Sequence, residues 1–239
     1  MRLLDIQQLD ARLDQLAHRR ATLPEIAEIA GLTAEQGALR DQVVAGETQE
    51  SDISREVSKS EADVEQVRAR AKRDQQRLDA GQVSSPRELE NLQHEIASLD
   101  KRQADLEEVE LEVLQRLEDA QRLLVSLREQ QGQVDEKLVA VTEKRDAQWA
   151  EIDAEAADLS GQRSRLVPEI PDQLLALYEK LRAANGGVGA AALHQRRCQG
   201  CRLELNTTDV NRIRAAAEDE VVRCEECGRI LVRTADSGL

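Results

Sequence analysis

Apolar residues along most of the chain recur at alternating steps of three and four positions. Stepped in this way from Ile29, fifteen positions end at Leu78, and nine of them are Ile, Leu or Val. A second run of twenty-one positions, from Leu89 to Leu159, has fourteen such residues. A heptad spacing held for this long keeps one apolar seam of a helix facing a partner helix. The pattern therefore predicts two long coiled-coil helices.

The residues between the two runs predict a tight turn near 81–85. Gly81 suits the left-handed conformation that often ends a helix. Ser85 suits an N-cap, Pro86 the first helical position and Glu88 the third, which together form a capping-box signature. Because the connection is this short, the two helices should be antiparallel neighbours.

The register of such a hairpin can be checked from residue numbers, since facing core residues should have a nearly constant sum. From the pair 78–89 to the pair 29–138, fifteen layers give sums of 166 or 167. In this register Gln36 faces Gln131, and Gly46 faces Ala120. The alternative is that each run pairs with a second chain. The matched arm lengths and the capped turn favour the hairpin.

Pro24 predicts a break in the first helix, because proline disrupts a helix interior. Beyond it the facing pairs have a slightly smaller sum, 165, which fits a local offset at the break. These pairs are Leu16 with Trp149, Leu13 with Ile152, and Ile6 with Leu159.

The segment after the second helix predicts a joint. Pro168 and Pro171 should end the helix. Apolar residues between 174 and 181 predict a short amphipathic helix, and Asn185-Gly186-Gly187 predicts its C-cap and a hinge. The expected organisation is a helical hairpin over residues 1–166, a short helix and hinge over 167–187, and a small domain over 188–239.

All four cysteines lie in the last 42 residues, in two Cys-x2-Cys pairs separated by twenty-two residues: Cys198, Cys201, Cys224 and Cys227. Two intervening residues let both sulfurs of one turn point to one ion, and two such turns make a tetrahedral four-thiolate zinc site. Val221-Val222 and residues 230–232 predict short flanking strands, and residues 208–217 predict a short helix. This arrangement is typical of a zinc ribbon.

Other interpretations of the cysteines fit less well. A redox-active Cys-x-x-Cys would be expected beside a βαβ pattern, which this sequence does not show. Structural disulfides would be expected in an oxidising compartment, whereas we expect a cytoplasmic protein. Four sulfur ligands leave zinc no position for a catalytic water. His194, four residues before Cys198, is predicted to be a strand or surface residue and not a ligand. His18 and His94 are predicted to face solvent on the coiled coil.

Composition narrows the fold class. Charged residues make up 33% of the 239 residues and aromatic residues 1%, with no Phe. Compact globules rely on aromatic rings for core volume. We therefore predict a mainly α protein, in which a long antiparallel coiled-coil helical hairpin precedes a small four-cysteine zinc-ribbon domain. A ribbon without aromatic residues should depend on bound zinc to fold.

Charge and hydropathy exclude some function classes. The net charge of −14 disfavours wrapping by nucleic acid and binding to an anionic membrane. No stretch approaches the roughly 18 apolar residues of a membrane span, and the N-terminus lacks the apolar run of a signal peptide. We expect a cytoplasmic protein. A phosphate-cradling glycine loop and a nucleophile–base arrangement are both lacking, so we expect no enzymatic activity.

The chain resembles a bacterial family of C4-type zinc-ribbon proteins with a long N-terminal antiparallel coiled-coil hairpin. The likeness rests on the turn Ser85-Pro86-Arg87-Glu88-Leu89, on Leu177-Tyr178, and on both cysteine pairs, and it covers essentially the whole chain. The resemblance implies zinc ligation by the four cysteines. It also implies an adaptor or regulator that contacts proteins or nucleic acid.

Two functional hypotheses follow. The first is a non-enzymatic adaptor or regulator that binds a protein partner, because the acidic hairpin suits basic or mixed protein surfaces. The second is a regulator that binds RNA or DNA through the ribbon, where all eight basic residues of 193–233 are arginines. We expect a monomer or weak homo-oligomer. The candidate partner or nucleic-acid contacts are Arg196, Arg197, Arg202, Arg229 and, in the turn, Arg87, which capping does not require.

Overall fold

The computed structural model describes residues 2–239 and is dominated by helices. The helices are α1 (Arg2–Ala21), α2 (Pro24–Asp79), α3 (Pro86–Leu166), α4 (Asp172–Ala184) and α5 (Thr207–Ala215), with a 3₁₀ turn at Val167–Glu169. The strands are β1 (Ala190–His194), β2 (Arg197–Cys198) and β3 (Ile230–Val232). The predicted mainly α class, with long hairpin helices followed by a small ribbon, is confirmed.

Contacts divide the chain into two compact units. One comprises residues 28–141, and the other combines residues up to 27 with residues 142–239. Among the described residues, none of the helices is long and apolar enough to cross a membrane.

Residues 28–141 contain the predicted turn. Gly81 has a φ of +62°, and its N–H donates to the Leu78 carbonyl, so it ends α2 in the left-handed conformation. The Glu88 N–H donates to Ser85 Oγ at 3.2 Å, as an N-cap requires. The Glu88 carboxylate accepts from Ser84 Oγ instead of the Ser85 N–H. Only half of the capping box therefore forms.

The seam of this unit follows the heptad register, with two local differences. Leu39 clusters with Leu127, and Ile53 with Val113, as the register predicts. Gln36, however, donates to Asp135 Oδ1 at 2.7 Å, because a charged acceptor makes a stronger hydrogen bond than the amide of the expected partner Gln131. A Cβ on Gly46 would lie 2.8 Å from Leu124 Cδ2, so Leu124, and not Ala120, fills that space.

In the other unit, the predicted break at Pro24 is confirmed, since α1 ends at Ala21 and α2 begins at Pro24. Leu16 packs with Ile152 and Trp149. The guanidinium groups of Arg20 and Arg145 each lie 4.5 Å from the centroid of the Trp149 ring, and Trp149 Nε1 donates to the Arg20 carbonyl. These contacts hold α1 against α3.

The expected pair of Ile6 with Leu159 is wrong. Leu159 packs with the Leu16 cluster, whereas Ile6 is fully buried with Tyr178, Ala190 and Ile230. Ile6 does not face Leu159 because α4 and the sheet cover this end of α1. The ribbon thus rests on the base of the hairpin through an apolar contact.

The glycine segment before β1, predicted to be a hinge, is held by α1. The buried Gln7 side chain donates from Nε2 to the Gly187 carbonyl at 2.9 Å. Its Oε1 accepts from the N–H groups of Gly189 and Ala190 at 2.8 and 3.2 Å. A Cβ on Gly189 would lie 2.5 Å from the Tyr178 carbonyl oxygen, so the chain passes α4 at a distance that only glycine allows.

We expect Gln7→Leu to loosen this segment, because leucine leaves one carbonyl and two N–H groups of residues 187–190 unpaired. Each unsatisfied buried group costs about 1–3 kcal/mol. Hydrogen exchange at Gly189 and Ala190 should therefore become faster. The exposed neighbour Gln8 offers a matched control, and Gln8→Leu should leave both amides protected. Equal exchange in the two variants would contradict the role given to Gln7.

Candidate metal centre

A three-stranded sheet carries the cysteine turns. Strand β1 is central, antiparallel to β2 with Leu193 opposite Cys198, and parallel to β3 with Ala190 opposite Ile230. The predicted strand at Val221-Val222 does not form. The Val222 carbonyl accepts from Leu231 N–H, but only Arg223 bridges β3, because the chain bends there into the second cysteine turn.

The other local predictions for the ribbon hold. Helix α5 forms close to the predicted 208–217, and its N-cap Asn206 accepts from the Asp209 N–H at 2.8 Å. His194 is the exposed last residue of β1. In the described chain, the one group of neighbouring His, Cys and carboxylate side chains that could hold a metal consists of the four cysteines, without His194.

Both cysteine turns have the same backbone form. The Arg202 N–H donates to the Cys198 carbonyl at 2.7 Å, and the Gly228 N–H donates to the Cys224 carbonyl at 2.8 Å. Arg202 and Gly228 have φ values of 65° and 71°. Glycine adopts this conformation freely, but a residue with a Cβ is strained there by roughly 1–2 kcal/mol. The first turn therefore carries backbone strain that the second turn avoids.

The four sulfurs are arranged as a tetrahedral zinc site requires. Cys198 Sγ lies 3.8 Å from Cys227 Sγ, Cys201 Sγ lies 3.9 Å from Cys224 Sγ, and all four lie within 4.8 Å of one another. Zinc–sulfur bonds of about 2.3 Å place sulfurs about 3.8 Å apart along a tetrahedron edge. A disulfide would need about 2.05 Å. The donor set therefore fits zinc, which would be bound structurally.

The surroundings set different proton affinities for the thiols. Burial raises the pKa of Cys224 to about 12 and also raises the pKa of Cys198. Burial would likewise raise the pKa of Cys227, but the backbone N–H and the side chain of Arg229 lower it to about 7. Zinc binding must therefore displace protons from the buried cysteines.

We expect zinc affinity to fall as pH falls, because protons then compete with the metal for the thiolates. The dependence should steepen below about pH 7, where Cys227 must also lose a proton on binding. Competition with a chromophoric chelator between about pH 6 and about pH 8.5 measures this effect. An affinity that does not change over this range would contradict thiolate ligation.

Arg229, a candidate partner contact, is used inside the fold. Its Nε donates to the Val188 carbonyl and its terminal nitrogen to the Asn185 carbonyl, each at 3.0 Å. A Cβ on Gly200 would lie 2.6 Å from Arg229 Cδ, so the arginine stem covers the first cysteine turn. Arg229 thereby connects the glycine segment to both cysteine turns.

The remaining candidate arginines differ in whether their side chains already contact other residues of the chain. Arg196 donates to the Gly238 carbonyl at 3.1 Å, and Arg197 lies 3.7 Å from Glu204. Arg202 and Arg87 are exposed, and neither side chain has a hydrogen bond or ion pair with any described residue. Partner binding by any of these arginines stays a prediction.

Sequence reasoning missed a buried polar network at the base of the hairpin. The Asp10 carboxylate is 1% exposed, and it accepts from Arg163 Nε at 2.6 Å and from the Tyr178 hydroxyl at 2.7 Å. Arg182 Nε lies 3.7 Å from Asp10, and its terminal nitrogen donates to Asp14 at 2.6 Å. The available signal was the 3,4 spacing of polar residues 7, 10 and 14 on one face of α1.

Fold and site together define a coiled-coil hairpin protein with a C4 zinc ribbon. Residues 6–186 match the family model described as a CT398-like coiled coil hairpin domain, and residues 197–231 match a C4-type zinc ribbon domain. The chain belongs to the CT398-like coiled-coil hairpin family. The resemblance inferred from the sequence and the zinc cofactor are both confirmed.

The chain is similar to relatives over nearly their whole length. An uncharacterized Mycobacterium tuberculosis protein, Rv2229c, is 39% identical over 97% of this chain and 94% of its own. A solved structure from Mycobacterium smegmatis is 36% identical, covers 98% of this chain and 96% of its own, and has a TM-score of 0.82. The structure of CT398 from Chlamydia trachomatis, 23% identical with the same coverage, has a TM-score of 0.70 and shows the shared fold.

Proposed function

We propose that this protein is a non-enzymatic adaptor or regulator that binds a protein partner, with zinc in a structural role. The observation that carries the proposal is how the ribbon uses its arginines. Within the described residues, six of the eight guanidinium groups between residues 193 and 233 contact acceptors of the chain itself. These contacts within the chain compete with binding of a phosphate backbone.

The ribbon surface instead offers apolar side chains. Leu203 and Val221 are exposed, so their side chains are accessible to a protein partner. A zinc ion held by four sulfurs also has no open position for substrate. These features favour protein binding over catalysis.

Binding of RNA or DNA through the ribbon is the alternative. It depends on Arg202 and Arg214, the ribbon arginines without a hydrogen bond or ion pair in the described chain. Residues 188–239 contain no aromatic side chain on which a base could stack. The alternative thus has charge at two positions and no stacking platform.

Affinity capture from cell lysate with the zinc-loaded protein, with and without nuclease, tests the proposal. We expect a captured protein that nuclease treatment does not release. In parallel, labelled RNA and DNA should show no binding at low salt. Loss of the partner on nuclease treatment, or nucleic-acid binding that weakens steeply with added salt, would overturn the proposal in favour of the alternative.

Arg87→Ala and Arg202→Ala locate the partner contact. Neither side chain has a partner in the described chain, so both variants should keep the thermal stability of the wild type. Reduced capture by one variant would assign the contact to the turn or to the ribbon. Undiminished capture by both would place the contact elsewhere on the protein.

A further inference from the structure

Ion pairs between α2 and α3 define two sides of the hairpin within residues 28–141. Arg68 pairs with Glu107 at 3.0 Å, and Glu47 pairs with Arg128 at 2.7 Å. The residue numbers of these two pairs have the same sum, as expected when both occupy equivalent flanking positions of one antiparallel seam. They therefore lie on the same side of the seam.

Unusually exposed apolar residues lie on this side. On α3, Leu111 is four residues from Glu107, Leu114 is seven from it, and Val125 is three from Arg128, so all three share the helix face of the ion pairs. On α2, Val44 is three residues from Glu47. Leu111 is 66% exposed, Val44 and Val125 are each 55% exposed, and Leu114 is 38% exposed. We call these four residues the Leu111 face.

The same side of α2 carries short polar and acidic side chains. The spacing of the two ion pairs places Glu61 opposite Leu114 and Ser54 opposite Gln121. Ser51, Ser54 and Ser58 are exposed farther along the same side of α2. Glu61 and Glu108 are exposed, and neither has an ion pair within the described residues.

A two-helix hairpin buries one stripe of each helix, so no helix of the described residues covers Leu111 and Leu114 on the outer face. Isolated exposed apolar residues are common, but Leu111 and Leu114 adjoin each other within a polar rim, which is typical of an interaction surface. The distance from Leu111 to Val125 corresponds to about 21 Å of helix.

The charge of the neighbouring residues indicates which kind of partner would cover the Leu111 face. Residues 105–119 contain seven acidic residues and one basic residue, and the chain as a whole carries a net charge of −14. A second copy of this acidic chain would be repelled. A helix with apolar residues at heptad spacing, flanked by Lys or Arg, would bury the leucines and pair with Glu61 and Glu108.

We propose that the Leu111 face is the docking site for a basic amphipathic helix of the partner, which packs as a third helix against α2 and α3. The inference rests on the proposed adaptor function and specifies its site and the chemistry of its ligand. It requires no movement of the hairpin, because the leucines are already exposed.

A synthetic peptide tests the proposal with the full-length, zinc-loaded protein. The probe is a labelled helix of about six turns with leucine at heptad positions and lysine beside them; a second probe has glutamate in place of lysine. Fluorescence anisotropy should show saturable binding of the lysine peptide and weaker binding of the glutamate peptide. The double variant Leu111→Gln, Leu114→Gln should bind the lysine peptide about tenfold more weakly.

A matched control lies on the other side of the seam, where Arg116 pairs with Glu56. Val109 and Leu123 are each seven residues from Arg116 and are similarly exposed. Val109→Gln with Leu123→Gln should leave the peptide affinity unchanged. Both double variants should keep the helical circular dichroism and melting temperature of the wild type, because all four side chains are on the surface.

Equal affinity of the wild type and the Leu111 and Leu114 variant, or no saturable binding of the lysine peptide, would overturn this inference. The adaptor proposal would remain testable by itself. If the Leu111 and Leu114 variant still captures a nuclease-resistant partner from lysate, the adaptor function stands and its contact lies elsewhere. If the wild type captures none, the adaptor proposal itself fails.

Discussion

Cys198→Ser should abolish zinc binding and unfold the ribbon. The apolar core of the ribbon is small and contains no aromatic ring. Two of its buried residues are the zinc ligands Cys198 and Cys224. Structural zinc contributes about 10–16 kcal/mol to the folding of small domains. The folding free energy lost with zinc exceeds the stabilisation that so small an apolar core can supply. In a hydrogen-exchange measurement, the amides of Leu193, Ile213 and Leu231 should therefore lose their protection.

Gln199→Ser, an exposed change between the two cysteines of the first turn, should retain one zinc per chain and full protection. Chelation of zinc from the wild type should reproduce the Cys198→Ser result, and added zinc should reverse it. The amide of Ile6 should also exchange faster in the zinc-free protein, because the ribbon covers that end of α1. A zinc-free ribbon with protected core amides would contradict this account.

Asp10→Ala should cost about 3–5 kcal/mol of unfolding free energy, because it leaves two partly buried arginines without their shared carboxylate. Arg163 and Arg182 are 24% and 23% exposed, and Asp10 lies between them. The Tyr178 hydroxyl also loses its acceptor. Urea denaturation followed by circular dichroism measures the effect.

Asp14→Ala is the matched control. It removes a carboxylate from the same helix and the same arginine, Arg182, but the Asp14 side chain is 50% exposed. An exposed ion pair contributes about 0–1 kcal/mol. If Asp10→Ala and Asp14→Ala lower stability equally, the network at the base of the hairpin does not depend on burial of Asp10.

The long helices and their turn could be predicted because their signals are local or periodic. The heptad spacing from Ile29 to Leu78 needs no knowledge of the partner helix, and Gly81 and Ser85 act through their own backbone groups. The register was predicted correctly at Leu39 with Leu127. It was wrong at Ile6, since Ile6 is buried by residues more than 160 positions away in the sequence.

The metal centre was predictable for the same reason, because the cysteine spacing fixes each turn and four thiolates select zinc. The roles of the arginines could not be predicted from the sequence. Arg202 and Arg229 look equivalent in the sequence, one following each cysteine pair. Only the structure shows that Arg229 donates hydrogen bonds to the carbonyls of Asn185 and Val188, whereas the Arg202 side chain has no hydrogen bond or ion pair in the described chain.

The amino-acid sequence by itself determined the helical hairpin, its capped turn and the four-sulfur zinc site, since periodicity and short spacing act over a few residues. The tertiary structure decided how the ribbon is seated. Gln7 and Asp10 of α1 hold residues 187–190 and α4 through contacts that span most of the chain. The spacing of polar residues 7, 10 and 14 marks one face of α1 but does not identify their partners, because a buried hydrogen bond depends on where two distant groups meet in space.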